Sequence, residues 1–273
     1  MDSPLVSAEW LAAHLDEVRV VDVRWYLRPT EGRTGAVAYA EGHLPGAVFL
    51  DVDADFSAPA STADGRHPMP TPEHFAGALS RVGIADGTPV VVYDDAGGSV
   101  AARLWWMLHS VGEPAAVLDG GLPAWTGPLT ADVPVYPAVA RVVRPWPADR
   151  YVTADQVAAT SLPILDARTA ERFADGDPDI DPKPGHIPGA RSAPWAANLD
   201  PATGRFLPAE ELGARYAALG VTDGAIAYCG SGVTACHDVL ALAVAGVPGV
   251  ALYPGSWSQW ANDPARPAAT GRG

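Results

Sequence analysis

The chain has 273 residues, 48% apolar and 18% charged, with a formal net charge of −14. This is the composition of a soluble globular protein of one or two domains, long enough to bury full cores. The acidic balance argues against nucleic acid or an anionic membrane as partner, and no apolar run is long enough to span a bilayer. The start, MDSPLVSAEW, lacks the basic and apolar stretches of a signal peptide. The two cysteines, Cys229 and Cys236, lie too close together and are too few for a disulfide framework. Both features point to the reducing cytoplasm.

Along the chain, short β-branched segments alternate with helical patterns. VRVVDV (18–23) reads as a strand, PEHFAGALSRVG (72–83) as a helix and PVVVYD (89–94) as a strand. VAARLWWMLHSVG (100–112) follows as a helix and AAVLD (115–119) as a strand. Residues 126–150 are rich in Pro and polar residues, lack a period and read as a linker. Thr153 is placed to cap a helix opening the second half. PILDA (163–167), PAEELGARYAALG (208–220), AIAYC (225–229), TACHDVLALAVAG (234–246) and GVALY (249–253) then repeat the alternation. The pattern predicts an α/β fold, each half a mainly parallel sheet with helices on both faces.

The halves are also alike in detail. His43 in GHLPGA matches His186 in GHIPGA at an offset of 143, while Tyr93-Asp94 matches Tyr228-Cys229 and Trp125 matches Trp260 at 135. The tract between the histidine motif and the Tyr93-Asp94 or Tyr228-Cys229 pair is therefore shorter in the second half. The repeat divides the chain into a domain over 1–125, a linker over 126–150 and a domain over 151–273.

AIAY, CGSGVT and a helical pattern place Cys229 at the carboxyl end of a strand, where parallel α/β sheets bind ligands. Gly230, Ser231, Gly232, Val233 and Thr234 form a loop small enough for its amides to turn toward the sulfur, and the next helix points its N-terminus there. Such a loop stabilises an anion, so a thiolate at Cys229 is nucleophilic near neutral pH. Thr234 is placed to cap the helix and to reach the sulfur. Cys236, two helical turns on, reads as packing. The first half has Asp94 where the second has Cys229. A carboxylate cannot do thiol chemistry, so the second half carries the reaction.

With these residues in view, the chain resembles the two-domain rhodaneses, a family of sulfurtransferases. CGSGVTA resembles the active loop of their 3-mercaptopyruvate branch, GHLPGA and GHIPGA their entry motif, and LDGGLPAW and LYPGSWSQW their closing motif. The resemblance implies two tandem rhodanese-like domains, the first without a catalytic cysteine. It implies that Cys229 takes sulfur from a small anionic donor as a persulfide and gives it to a thiol or cyanide acceptor, in two covalent steps without metal or cofactor. A thioredoxin-like reductant is a further implied partner. Ser231 is implied as the polar group serving the leaving enolate, Arg172 as a clamp on the donor's carboxylate, and His43 as a candidate relay. A second clamp arginine is expected shortly before GHIPG, but Asp179 falls about there and Lys183 is the cation of that tract. Glu31 is the candidate for the acid that orients His43.

The neutral loop favours 3-mercaptopyruvate over dianionic thiosulfate. Thiosulfate:cyanide transfer and a persulfide-carrying relay without small-molecule turnover are the alternatives. A phosphatase loop needs an arginine at the sixth position after its cysteine, and here stands Ala235; a redox pair wants CxxC. His14, His67, His74, His109 and His237 form no metal-ligand spacing with the cysteines and read as surface or packing residues.

Overall fold

A computed structural model describes residues 3–271. Its strands are β1 (Leu5–Val6), β2 (Arg19–Asp22), β3 (Val48–Phe49), β4 (Val90–Tyr93), β5 (Ala115–Leu118), β6 (Ile164–Asp166), β7 (Arg191–Ser192), β8 (Ala225–Tyr228) and β9 (Val250–Leu252). They form two sheets, in the orders β1-β5-β4-β2-β3 and β7-β6-β8-β9, and every pairing is parallel. The apolar runs 90–93 and 225–228 are buried at every position, as central strands covered on both faces require. The edge strands β1, β3 and β7 are two residues each, too short to leave a periodic signal. Helices Pro72–Arg81, Ala101–Ser110, Ala209–Ala218 and Ala235–Val244 stand where the 3.6-residue period places them. Thr153 caps Ala154–Ala159 in a full capping box with Gln156.

The chain folds into two compact units that one cut does not separate. One comprises the chain up to Ala58 with Met69–Trp146; the other comprises Pro59–Pro68 with the chain from Pro147 on. Residues of the expected linker bind to the first unit: Tyr136 donates to the Gly46 carbonyl, Arg141 to the Ile84 carbonyl and to Glu113, and the Trp146 indole to the Pro70 carbonyl.

The first core gathers Leu11, Val20, Leu44, Val91, Tyr93 and Leu118; the second gathers Val157, Ile164, Ile187, Ile226, Tyr228 and Trp257. Each aliphatic side chain fully buried this way contributes about 1.5–3 kcal/mol. Both units also repeat one buried polar device. Arg24 forks onto Asp22 and donates to the Gly42 carbonyl, as Arg168 forks onto Asp166 and donates to the Gly185 carbonyl. The tyrosine ending the central strand, Tyr93 or Tyr228, accepts from the amide after the histidine of the entry motif, Leu44 or Ile187. This pins each entry motif beside the end of the central strand, where the loops described next begin. No helix is long and apolar enough to cross a membrane among the described residues.

Candidate active site

Cys229 follows the last residue of β8 and is 2% exposed. Its amide donates to Ser256 Oγ and its carbonyl accepts from the Trp257 amide, so the turn after β9 holds the cysteine backbone from behind. Two loop amides point at the sulfur, Gly232 N at 3.1 Å and Ser231 N at 3.4 Å. Gly232 makes this turn with φ +78°, and a Cβ on it would lie 2.4 Å from the Pro254 carbonyl oxygen. Helix Ala235–Val244 has no side-chain cap, and the Val233, Thr234 and Ala235 amides donate to no described group. Three free N–H groups at a helix N-terminus beside a sulfur form a site for an anion.

The equivalent loop of the first unit holds its own anion-forming group. Asp94, fully buried, accepts through Oδ1 from the Ala96 and Gly98 amides and through Oδ2 from the Val100 and Ala101 amides, all at 2.8–2.9 Å. Burial pushes this carboxyl above the usual range against the pull of the four amides. Its second oxygen serves as the missing cap of helix Ala101–Ser110.

Residues 59–68 complete the cysteine site. The segment is closed by paired hydrogen bonds between Ser61 and Gly65, and the Arg66 amide donates to Ser258 Oγ. This places His67 and Arg66 at the loop. His67 Nδ1 lies 2.7 Å from Ser231 Oγ, and both side chains are buried. Thus the hydroxyl that pairs with a histidine belongs to the residue whose amide touches the cysteine sulfur. A methyl group on Gly230 would lie 2.7 Å from Arg66 Nη2 and 3.0 Å from Arg172 Nη2, so two guanidiniums lie over the loop. Among the described residues no cluster of His, Cys, Asp and Glu is arranged to hold a metal.

Comparison with known proteins shows the family. The model of the rhodanese-like domain matches twice, over residues 7–128 and 151–263. The chain belongs to the rhodanese family. It is 42% identical to a Pseudomonas aeruginosa protein named "Probable 3-mercaptopyruvate sulfurtransferase", over 98% of both chains. It is 33% identical to the Arabidopsis thaliana "Thiosulfate/3-mercaptopyruvate sulfurtransferase 1, mitochondrial", over 97% of this chain and 77% of that one. The crystal structure of SseA from Escherichia coli, a 3-mercaptopyruvate sulfurtransferase, superposes with a TM-score of 0.80 at 34% identity, covering 93% of this chain and 99% of that one.

Within this rhodanese, Cys229, Gly230, Ser231, Gly232, Val233 and Thr234 form one loop as expected, with Arg172 over it. Two expectations, those for Thr234 and His43, need correction. Thr234 does not cap the helix through its side chain, because its backbone is already helical (φ −70°, ψ −15°). The Lys183 ammonium donates to the Arg266 carbonyl. His43 is no relay. Its ring nitrogens face the Tyr39 and Asp132 carbonyls and the ring stacks on Tyr39, just as His186 faces the Phe173 carbonyl and stacks on Phe173. A setting shared by a unit with a catalytic-type cysteine and one without it belongs to the fold. The histidine at the cysteine loop is His67, which reads as surface or packing in the sequence. Arg172 itself forks onto Asp181 at 2.6 and 3.1 Å.

Proposed function

We propose that this rhodanese is a sulfurtransferase that loads sulfur from 3-mercaptopyruvate onto Cys229 and delivers it to a thiol or to cyanide. In the first step the Cys229 thiolate attacks the donor's sulfur. The new S–S bond forms as the donor's C–S bond breaks, and the electron pair of that bond passes to carbon as the enolate of pyruvate. The donor's thiol proton ends on that carbon, leaving Cys–S–S⁻ and pyruvate. The Val233, Thr234 and Ala235 amides face the charge on the outer sulfur. In the second step an acceptor thiolate or cyanide attacks the outer sulfur, the S–S bond breaks, and Cys229 is again a thiolate. A thioredoxin-like dithiol fits the same step as acceptor.

The observation that carries the donor is the 2.7 Å contact of Ser231 Oγ with His67 Nδ1 beside the sulfur. A hydroxyl paired with an imidazole passes a proton, which the enolate requires. Sulfite leaving thiosulfate requires none. The loop also lacks a side-chain cation of its own to receive a dianion. Ser231→Ala is therefore expected to slow pyruvate release on the order of 10²-fold while changing persulfide loading from thiosulfate by less than about threefold. An equal loss with both donors would contradict the relay.

A further inference from the structure

Residues 59–68 are remote from the cysteine loop along the chain, and two residues of the closing motif hold them against it. Ser258, buried, touches both. Its amide donates to the Gly230 carbonyl at 2.9 Å, and its hydroxyl accepts from the Arg66 amide at 3.0 Å and donates to the Gly255 carbonyl at 3.2 Å. Gln259 grips the turn before Arg66. Its Nε2 donates to the Ala63 carbonyl at 2.7 Å, while its Oε1 accepts from the Tyr253 hydroxyl at 2.8 Å. A carbonyl only accepts, so the amide nitrogen faces Ala63 and the glutamine has one orientation. A carboxylate of the same shape would keep the Tyr253 contact but has no proton to donate to Ala63. Between the two grips Gly65 has φ +95°, and a Cβ on it would lie 2.8 Å from both the Gly255 oxygen and Ser258 Oγ.

The first unit carries the same closing helix without these groups. At the offset of 135 that relates Trp125 to Trp260, Ser258 matches Pro123 and Gln259 matches Ala124. The preceding contact is common to both units: the Trp257 amide donates to the Cys229 carbonyl as the Leu122 amide donates to that of Asp94. The next one differs, since proline has neither an N–H nor a hydroxyl. The side chains that grip a further segment therefore stand only in the copy that has the cysteine.

We propose that Ser258 and Gln259 are positioning residues: together they clasp residues 59–68 so that His67, next in the chain after the Ser258 contact, meets the Ser231 hydroxyl. The segment is held at Ala63 and at Arg66, so the histidine is in place before the donor arrives. The clasp acts on proton delivery to the leaving enolate and not on the sulfur. This rests on the sulfurtransferase reading for the reaction that the clasp serves, but not for the clasp itself.

The test places Ser258→Ala and Gln259→Glu in the wild-type protein and in His67→Ala. In the wild-type background Ser258→Ala is expected to slow pyruvate formation from 3-mercaptopyruvate about tenfold and Gln259→Glu about threefold, with persulfide loading from thiosulfate changed by less than about twofold. The unchanged loading reports an intact cysteine loop. In His67→Ala the same substitutions are expected to change pyruvate formation by less than about twofold, because the histidine through which they act is gone. Limited digestion with trypsin reads the clasp without any turnover: cleavage after Arg66 is expected to quicken about tenfold in Ser258→Ala. Equal losses with both donors, or losses undiminished in His67→Ala, overturn the proposal. So does cleavage after Arg66 at the parent's rate in both variants. Failure of the wild type to form pyruvate would instead strike the donor reading, while the rate of cleavage after Arg66 still decides the clasp.

Discussion

In the first unit, the loop after the central strand closes around its own side chain: Asp94 takes the amides two, four, six and seven residues on. In the second, Cys229 takes the amides two and three residues on, and those of Val233, Thr234 and Ala235 stay unpaired among the described residues. The stems are alike, with a buried parallel strand ending in a tyrosine, an Asp-Arg fork beside it and a helix behind. A carboxyl group is long enough to satisfy the helix N-terminus, and the result is a structural cap. A thiolate is one atom too short to do so. The second sulfur of a persulfide supplies the missing reach. The same scaffold thus yields a stable loop or a receptive one according to one residue, and this is the physical content of calling one domain catalytic and the other not.

The comparison can be pressed at its histidines first. His67→Ala is expected to lower pyruvate formation on the order of 10²-fold, because it leaves Ser231 without its partner, whereas His43→Ala should leave kcat per folded molecule within about twofold and cost stability. Steady-state kinetics on folded fractions of both variants decide this; equal kinetic losses would restore His43 as a relay. Next, Asp94→Ala should destabilise the first unit by about 3 kcal/mol, since it orphans four amides, three of them buried. A urea midpoint indistinguishable from the parent's would show that the carboxyl is not the cap it is taken for. The smallest effect concerns Asp238, behind the cysteine loop. It accepts from Asn198 and Tyr216, and burial pushes its pKa up to about 7. The folded-state value lies above that of the unfolded chain, so the contribution of this group to stability is greatest in acid. It falls as pH rises from about 4 to about 7, by at most about 1.4 kcal/mol per pH unit. Asp238→Asn should flatten that slope between pH 5.5 and 6.5, and an unaltered slope in urea unfolding would assign it to another group.

Much of this was legible in the residues. Central strands and long helices carry strong periods, and the strand–Cys–small-loop–helix order marks Cys229 because its chemistry is local. What escaped is what the chain assembles from afar. Arg66 and His67 lie in an irregular tract of the first half, where no period reports a fold, and halving the chain assigns them to the wrong unit. One signal was present: the repeat offset falls from 143 to 135, so the first half carries eight residues more between GHLPGA and PVVVYDD, and residues 59–68 lie in that interval. Extra length in one copy of a repeat is where a new role is accommodated. Asp181 escaped for a different reason. In ADGDPDIDPKP several acids compete for one arginine, and only the turn geometry, with the Ile180 and Asp181 amides both donating to the Asp177 carbonyl, selects among them.

The central claim is that Cys229 carries sulfur in the space its loop leaves open. Intact-mass spectrometry after mixing with 3-mercaptopyruvate tests it most directly. The account predicts a gain of one sulfur atom, lost on adding cyanide and absent in Cys229→Ser, whose circular dichroism should match the parent's. A sulfur gained equally by Cys229→Ser, or no gain in the wild type with either 3-mercaptopyruvate or thiosulfate, would contradict it.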